Sequence, residues 1–186
     1  MIYQIKITLD HSKPPIWRRI EVAPERSLED LHNIIQSTMG WDNSHLHHFM
    51  VNKEYYTPPS KWDDFGNDYT GMMIKDLFQK EGQKIQYEYD FGDSWQHVLV
   101  LEKINHEEEG VNYPRCIKGK RACPPEDCGG IWGYMNLVDV MKSKKGEQYE
   151  EMLEWLGEEL EPERFDIDLI NKKLQSDNFG TLSIKF

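Results

Sequence analysis

The chain is poor in positive charge, in cysteine and in long apolar runs. Its 22 Lys and Arg face 33 Asp and Glu, a formal net charge of −11. That balance disfavours nucleic acid as a partner across the whole surface, although a local basic patch remains compatible with it. No apolar run approaches membrane-spanning length, and Met1 is not followed by a charged-then-apolar leader. The expectation is a cytoplasmic protein with no membrane contact. Three cysteines, an odd number and none in a Cys-x-x-Cys pair, point to reduced thiols rather than disulfides or redox work. A glycine-rich phosphate loop and a His-Arg-Asp stretch are also absent, so Asp90-Phe91-Gly92 is not read as the kinase magnesium tripeptide.

What is present suits one domain of 186 residues, long enough to bury a core without staples. Tyr3, Ile5, Ile7 and Leu9 alternate with polar residues and predict a strand; Ile16 to Val22 predicts a second, paired with it. Ser27 is a good N-cap, Leu28, Leu31, Ile34, Ile35 and Met39 form one apolar stripe, and Gly40 is a C-terminal stop, so a helix is predicted between them. Phe49 to Tyr56 supplies a third strand. This strand-strand-helix-strand order is β-grasp-like. The predicted class is α+β, with a mixed or antiparallel sheet in residues 1–130 and a helical part in 131–186 that closes on the sheet. Apolar stripes at Tyr134–Met141, Tyr149–Leu156 and Phe165–Leu174 supply the helices, and Leu182, Ile184 and Phe186 a closing strand. The Thr57–Gly71 loop, with Pro58-Pro59 and Trp62, is long enough to be functional or packed by its own aromatics.

The densest stretch is Tyr89 to His97. Ile85, Tyr87, Tyr89 and Phe91 alternate as a half-buried strand, and Val98 to Leu101 reads as a strand covered on both faces. A two-residue turn at Gly92-Asp93 would set Asp90 opposite Trp95 and Glu88 opposite His97. Glu88, Asp90 and His97 would then share one face beside Trp95, with Asp93 at the turn. A carboxylate beside an imidazole raises its basicity and fixes its tautomer. The plainer alternative is a polar sheet face whose His and Asp satisfy each other, and a one-residue slip would scatter the group.

Two further groups carry metal-ligand chemistry. His45 and His47 would point the same way from an extended segment, and Asp90, Asp93 or His97 would have to complete a site for zinc or another divalent ion. Cys116, Cys123 and Cys128 lie in a Pro- and Gly-rich run that looks irregular. Their spacing can wrap a tetrahedral zinc with His97 or Asp127 as the fourth ligand, and nearby Lys118, Lys120 and Arg121 would lower the thiol pKa values. The alternative is three small apolar side chains in a packed loop.

Ile16-Trp17-Arg18-Arg19 after Pro14-Pro15, the Trp41–Phe49 stretch, Tyr89–His97, the run Arg121-Ala-Cys-Pro-Pro-Glu-Asp-Cys-Gly-Gly and Glu150–Gly157 together resemble the Ri-plasmid ORF-three-like family, over nearly the whole chain. The resemblance implies a plasmid- or mobile-element-associated protein, and no particular reaction. Some members are labelled resolvase-like, but a serine recombinase needs clustered arginines and a basic DNA-binding module, and the tight arginine pair here is Arg18-Arg19 on a strand. The leading expectation is therefore a non-catalytic binding or regulatory module taking protein or peptide. A metal-dependent hydrolase using the His/Asp group, and a structural zinc protein, are the alternatives.

Overall fold

A computed structural model describes residues 1–59 and 65–182. Trp62, Ile184 and Phe186 lie outside the described residues. Eight strands form one sheet in the order β5-β4-β3-β6-β7-β1-β2-β8. They are β1 (Ile2–Leu9), β2 (Trp17–Val22), β3 (His47–Val51), β4 (Glu54–Thr57), β5 (Asn67–Asp68), β6 (Lys84–Tyr89), β7 (Trp95–Asn105) and β8 (Arg115–Lys120). All neighbours run antiparallel except β4 and β5. The helices are α1 (Leu28–Met39), α2 (Ile74–Leu77), α3 (Gly130–Ser143), α4 (Glu147–Leu156) and α5 (Ile167–Leu174). The class is thus α+β, with most helix in the C-terminal part. The strand-strand-helix-strand opening is present, and β6 and β7 lie between β1 and β3.

Period-two alternation decides which sheet face is covered. Ile5, Ile7, Ile20, Phe49, Ile85, Tyr87, Trp95, Leu99 and Leu101 are buried on the face that carries α1. Burial of each such side chain is worth roughly 1.5–3 kcal/mol. The other face is polar: Arg19 makes a two-pronged hydrogen bond to Glu102, which also accepts from Gln4. Val98 and Val100 lie there, opposite Thr8 and Lys6, and are only half-buried. β7 is therefore covered on one face, contrary to its run of apolar residues.

Helix α1 starts where the Ser27 hydroxyl accepts the Asp30 amide and stops at left-handed Gly40. Its polar stripe is buried as well, because the segment after α5 packs over it. Asn33 donates to Asn178, and the Ser37 hydroxyl donates to the Phe179 carbonyl. The predicted strand Phe49–Tyr56 is in fact the β3–β4 hairpin, since Asn52 and Lys53 both take positive φ and reverse the chain. The Cys116 run, expected to be irregular, forms edge strand β8 against β2. Its outer edge is occupied by α5: the Cys116 amide donates to Asn171 Oδ1 and the Cys116 carbonyl accepts from Asn171 Nδ2. One side chain thereby satisfies both backbone groups that an added strand would use.

Candidate functional site

The β6–β7 connection departs from the expected register. Tyr89 pairs with Trp95, Glu88 with Gln96 and Tyr87 with His97. The loop is Asp90 to Ser94 rather than Gly92-Asp93 alone. Asp90 and Ser94 take positive φ, the Ser94 amide donates to the Asp90 carbonyl, and the Gly92 amide donates to Asp90 Oδ1. The slip separates the expected group: Glu88 faces the open side, where it meets His48 at 3.3 Å and accepts from Ser94 Oγ at 2.6 Å. His97 and Trp95 face the core, each 1% exposed, so Trp95 is not a contact surface. Among the described residues, neither His97 nitrogen makes a hydrogen bond of ordinary geometry, although the Trp95 and Tyr87 backbone lies close enough to favour the protonated ring slightly. Burial pushes the His97 imidazole down to about 4, so it is neutral and buried under Trp41, whose ring meets it edge-on at 5.3 Å.

His45 and His47 do not converge either. His47 stacks on His32 inside the protein, whereas His45 turns the other way. His45 Nε2 lies 3.7 Å from Asp90 Oδ2 and 3.5 Å from Asp127 Oδ1. Among the described residues, these three form the one group of at least three His, Cys, Asp or Glu ligand atoms lying within 4.8 Å of one another. Each comes from a different loop: the α1–β3 connection, the β6–β7 loop and the β8–α3 loop. Asp90 is 7% exposed, and its amide donates to the Leu46 carbonyl, which ties the first two loops together. Asp93 ties in the third, since Oδ2 accepts the Gly129 amide at 3.2 Å. A Cβ on Gly130 would come within 2.3 Å of the Asp93 carbonyl, and Gly130 has φ +67°, so this approach requires glycine.

Behind these ligand atoms is a second acidic pair. Tyr89 OH donates to Glu126 Oε1 at 2.5 Å and accepts the Ser44 amide at 3.0 Å. Burial, then the hydrogen bond with Asp42, pushes the Glu126 carboxyl up to about 7. Asp42 moves the other way, mainly through that same hydrogen bond, so the shared proton resides on Glu126 and the charge on Asp42.

The cysteines are not part of such a group. Cys116 is buried, and burial raises all three thiol pKa values, that of Cys128 to about 12. The expected lowering by Lys118, Lys120 and Arg121 does not occur. The cation near Cys116 and Cys123 is Arg18, buried with its hydrogens on the Thr38, Trp17 and Lys120 carbonyls and its guanidinium over Phe165. Its pull on the thiols is smaller than the cost of desolvating a thiolate there. Asp127 was visible in sequence only as a spare zinc ligand. Glu126 and Asp42 carried no signal beyond sitting beside turn-forming residues.

These features describe an α+β fold in which three loops bring His45, Asp90 and Asp127 together as a candidate site. The chain belongs to the family described as plasmid pRiA4b ORF-3-like protein, which it matches over residues 1–169. It is 35% identical over 158 residues to an uncharacterized protein, y4hQ, of Sinorhizobium fredii, covering 84% of this chain and 81% of that one. A crystal structure of a protein of unknown function, MM3350 of Methanosarcina mazei Go1, is similar at a TM-score of 0.83 and 40% identity, covering 90% of this chain and 96% of that chain.

Proposed function

We propose that this protein is a non-catalytic cytoplasmic binding or regulatory module, associated with plasmids or mobile elements, whose three-loop site takes a divalent transition-metal ion. The observation that carries this reading is the approach of His45 Nε2 and the Asp90 and Asp127 carboxylates to within 4.8 Å of one another. One neutral imidazole and two carboxylates balance a double positive charge, and the mixed N/O set suits Mn²⁺ or Zn²⁺ better than Ca²⁺. Two of the loops carry a large exposed apolar side chain, Leu46 and Phe91, and exposed Trp132 stands in the first turn of α3, directly after the third. The ion would order these loops together and present the three side chains to a protein or peptide. Strand addition is not the mode favoured, because Asn171 occupies the β8 edge and β5 has only two residues. The test is calorimetric titration with Mn²⁺ and Zn²⁺, followed by capture from native lysate with and without the ion. Stoichiometric binding lost in Asp90→Asn, and a partner lost in Phe91→Ser, support the reading; heat-silent titrations overturn it.

A metal-dependent hydrolase is the second reading, favoured by the count of protein donors. Three leave coordination positions for a water that the ion could activate. Turnover of aryl phosphoesters by the Mn²⁺-loaded protein, abolished in Asp90→Asn, distinguishes it from a binding role.

A further inference from the structure

A cavity of about 480 Å³ opens beside the N-terminal end of α1, away from the three-loop site. Its buried wall is His32, Asn33, Asn43, His47 and Tyr69, and its rim includes exposed Glu29 and Thr70. The wall is a connected hydrogen-bond chain. Gln36 Nε2 donates to Tyr87 OH, Tyr87 OH meets His32 Nδ1 at 2.8 Å, and His32 Nε2 meets Asn43 Oδ1 at 2.6 Å. An amide oxygen cannot donate, so His32 carries its proton on Nε2 and accepts from Tyr87 on Nδ1. His47 lies flat on His32, with ring centroids 3.4 Å apart, and its Nε2 meets Tyr69 OH at 2.9 Å. Among the described residues, His47 Nδ1 is buried with no hydrogen-bond partner. A buried polar atom left unmatched is destabilising, so such positions are normally satisfied by a ligand or water.

The lining also says what charge would be rejected. Among the described residues, no Lys or Arg lines the cavity. The His32 imidazole is neutral, chiefly through burial. Glu29 stands at the rim, and Glu29 and Asp30 in the first turn of α1 offset the positive end of its dipole. Among the described residues, an anion would find the Glu29 carboxylate and no counter-charge. What the walls do offer is ring surface from Tyr69, the His47 Nδ1 and the Thr70 hydroxyl, beside the Asn33 and Asn43 amides, which already bond each other, His32, Asn178 and the Leu182 carbonyl.

We propose that this cavity binds an uncharged, hydrogen-bonding heterocycle of nucleoside size, and that it discriminates against the phosphorylated form. The volume falls within the roughly 300–1,000 Å³ typical of small-molecule sites. The site is separate from the three-loop site, so binding here does not depend on a metal.

The test is titration of the protein, in EDTA, with adenosine, uridine and their 5′-monophosphates, followed by the imidazole NMR resonances of His32 and His47. Expected is saturable movement of both resonances with a nucleoside Kd below about 1 mM, and binding of the monophosphate at least about tenfold weaker. Thr70→Trp, which fills the mouth from the exposed rim and leaves the buried chain intact, should weaken nucleoside binding by at least about tenfold. Resonances unmoved by either nucleoside at several times that concentration overturn the proposal. So do monophosphates that bind as well as nucleosides, or an unaltered affinity in Thr70→Trp.

Discussion

The imidazoles of His32 and His47 lie in parallel contact, 3.4 Å between centroids and 5° between planes. Two charged rings could not be held so, and burial keeps both neutral, His32 down to about 4. His97, two strands over on β7 and on the other side of the Tyr87 ring, is held neutral to about 4 as well. In the unfolded chain each would take up a proton near 6.5.

Acid should therefore unfold this protein early. Between pH 6.5 and 4 the unfolded state holds more protons at these histidines, so their contribution is complete above 6.5 and is lost as pH falls towards 4. His32 and His97 are each worth on the order of 3 kcal/mol over that window. Glu126 acts in the opposite direction, because its folded value near 7 lies above its unfolded one; half-exposed and coupled to Asp42, which is lowered, it offsets only part of one histidine. Urea melts at pH 7 and pH 4.5 should show a net loss. In His97→Phe that loss should be smaller by ~2–3 kcal/mol, with the fold retained.

The thiols should be slow. Cys128 is pushed up to about 12 from 9.0, and Cys116 and Cys123 are also raised by burial. At pH 8 the native protein should react with a disulfide reagent about two to three orders of magnitude more slowly than the urea-unfolded chain. Fast labelling of one thiol in the native state would contradict the packing described for this loop.

Gly130→Ala tests how the third loop is held. The methyl would collide with the Asp93 carbonyl, on a residue already at positive φ. A loss of ~2–4 kcal/mol in urea unfolding is expected. Gly146→Ala, also at positive φ but with open space around its Cβ, should cost nearer ~1 kcal/mol.

Asn171→Leu removes the group that satisfies both Cys116 backbone positions on the β8 edge. The expected cost is about 2–4 kcal/mol, since two partly buried polar groups are left unmatched. The bared edge should also promote association at high concentration, visible by light scattering.

Local chemistry was legible where one residue type decides the outcome. Ser27 and Gly40 bracket α1 as read, and the stripes at Tyr134, Tyr149 and Leu169 are all in helices. The hairpin was misread by one residue, because Asp90 and Ser94 both adopt a left-handed backbone that sequence does not announce. That slip sent Glu88 to the open face and His97 into the core. Strand β8 was missed because its glycine looked like a breaker; Gly119 is instead where the Phe165 ring presses on the strand, 2.5 Å from where a Cβ would sit. His32 drew no notice, since a histidine on the polar side of a helix reads as solvated. In the fold it turns onto the sheet, bonding Tyr87 and stacking on His47, while Asn178 and Phe179, from far along the chain, cover Asn33 and Ser37 beside it. Long-range contacts of this kind leave no local trace.

The central claim is that His45, Asp90 and Asp127 hold a divalent ion. Titrating isotopically labelled protein with substoichiometric Mn²⁺ tests it most directly, through paramagnetic broadening of backbone amide resonances. The account predicts selective loss of signals around residues 44–46, 90–93 and 126–129, abolished in Asp90→Asn. Uniform weak broadening across the acidic surface, unchanged in that variant, would mean the three side chains form an ion-paired loop clasp and no metal site.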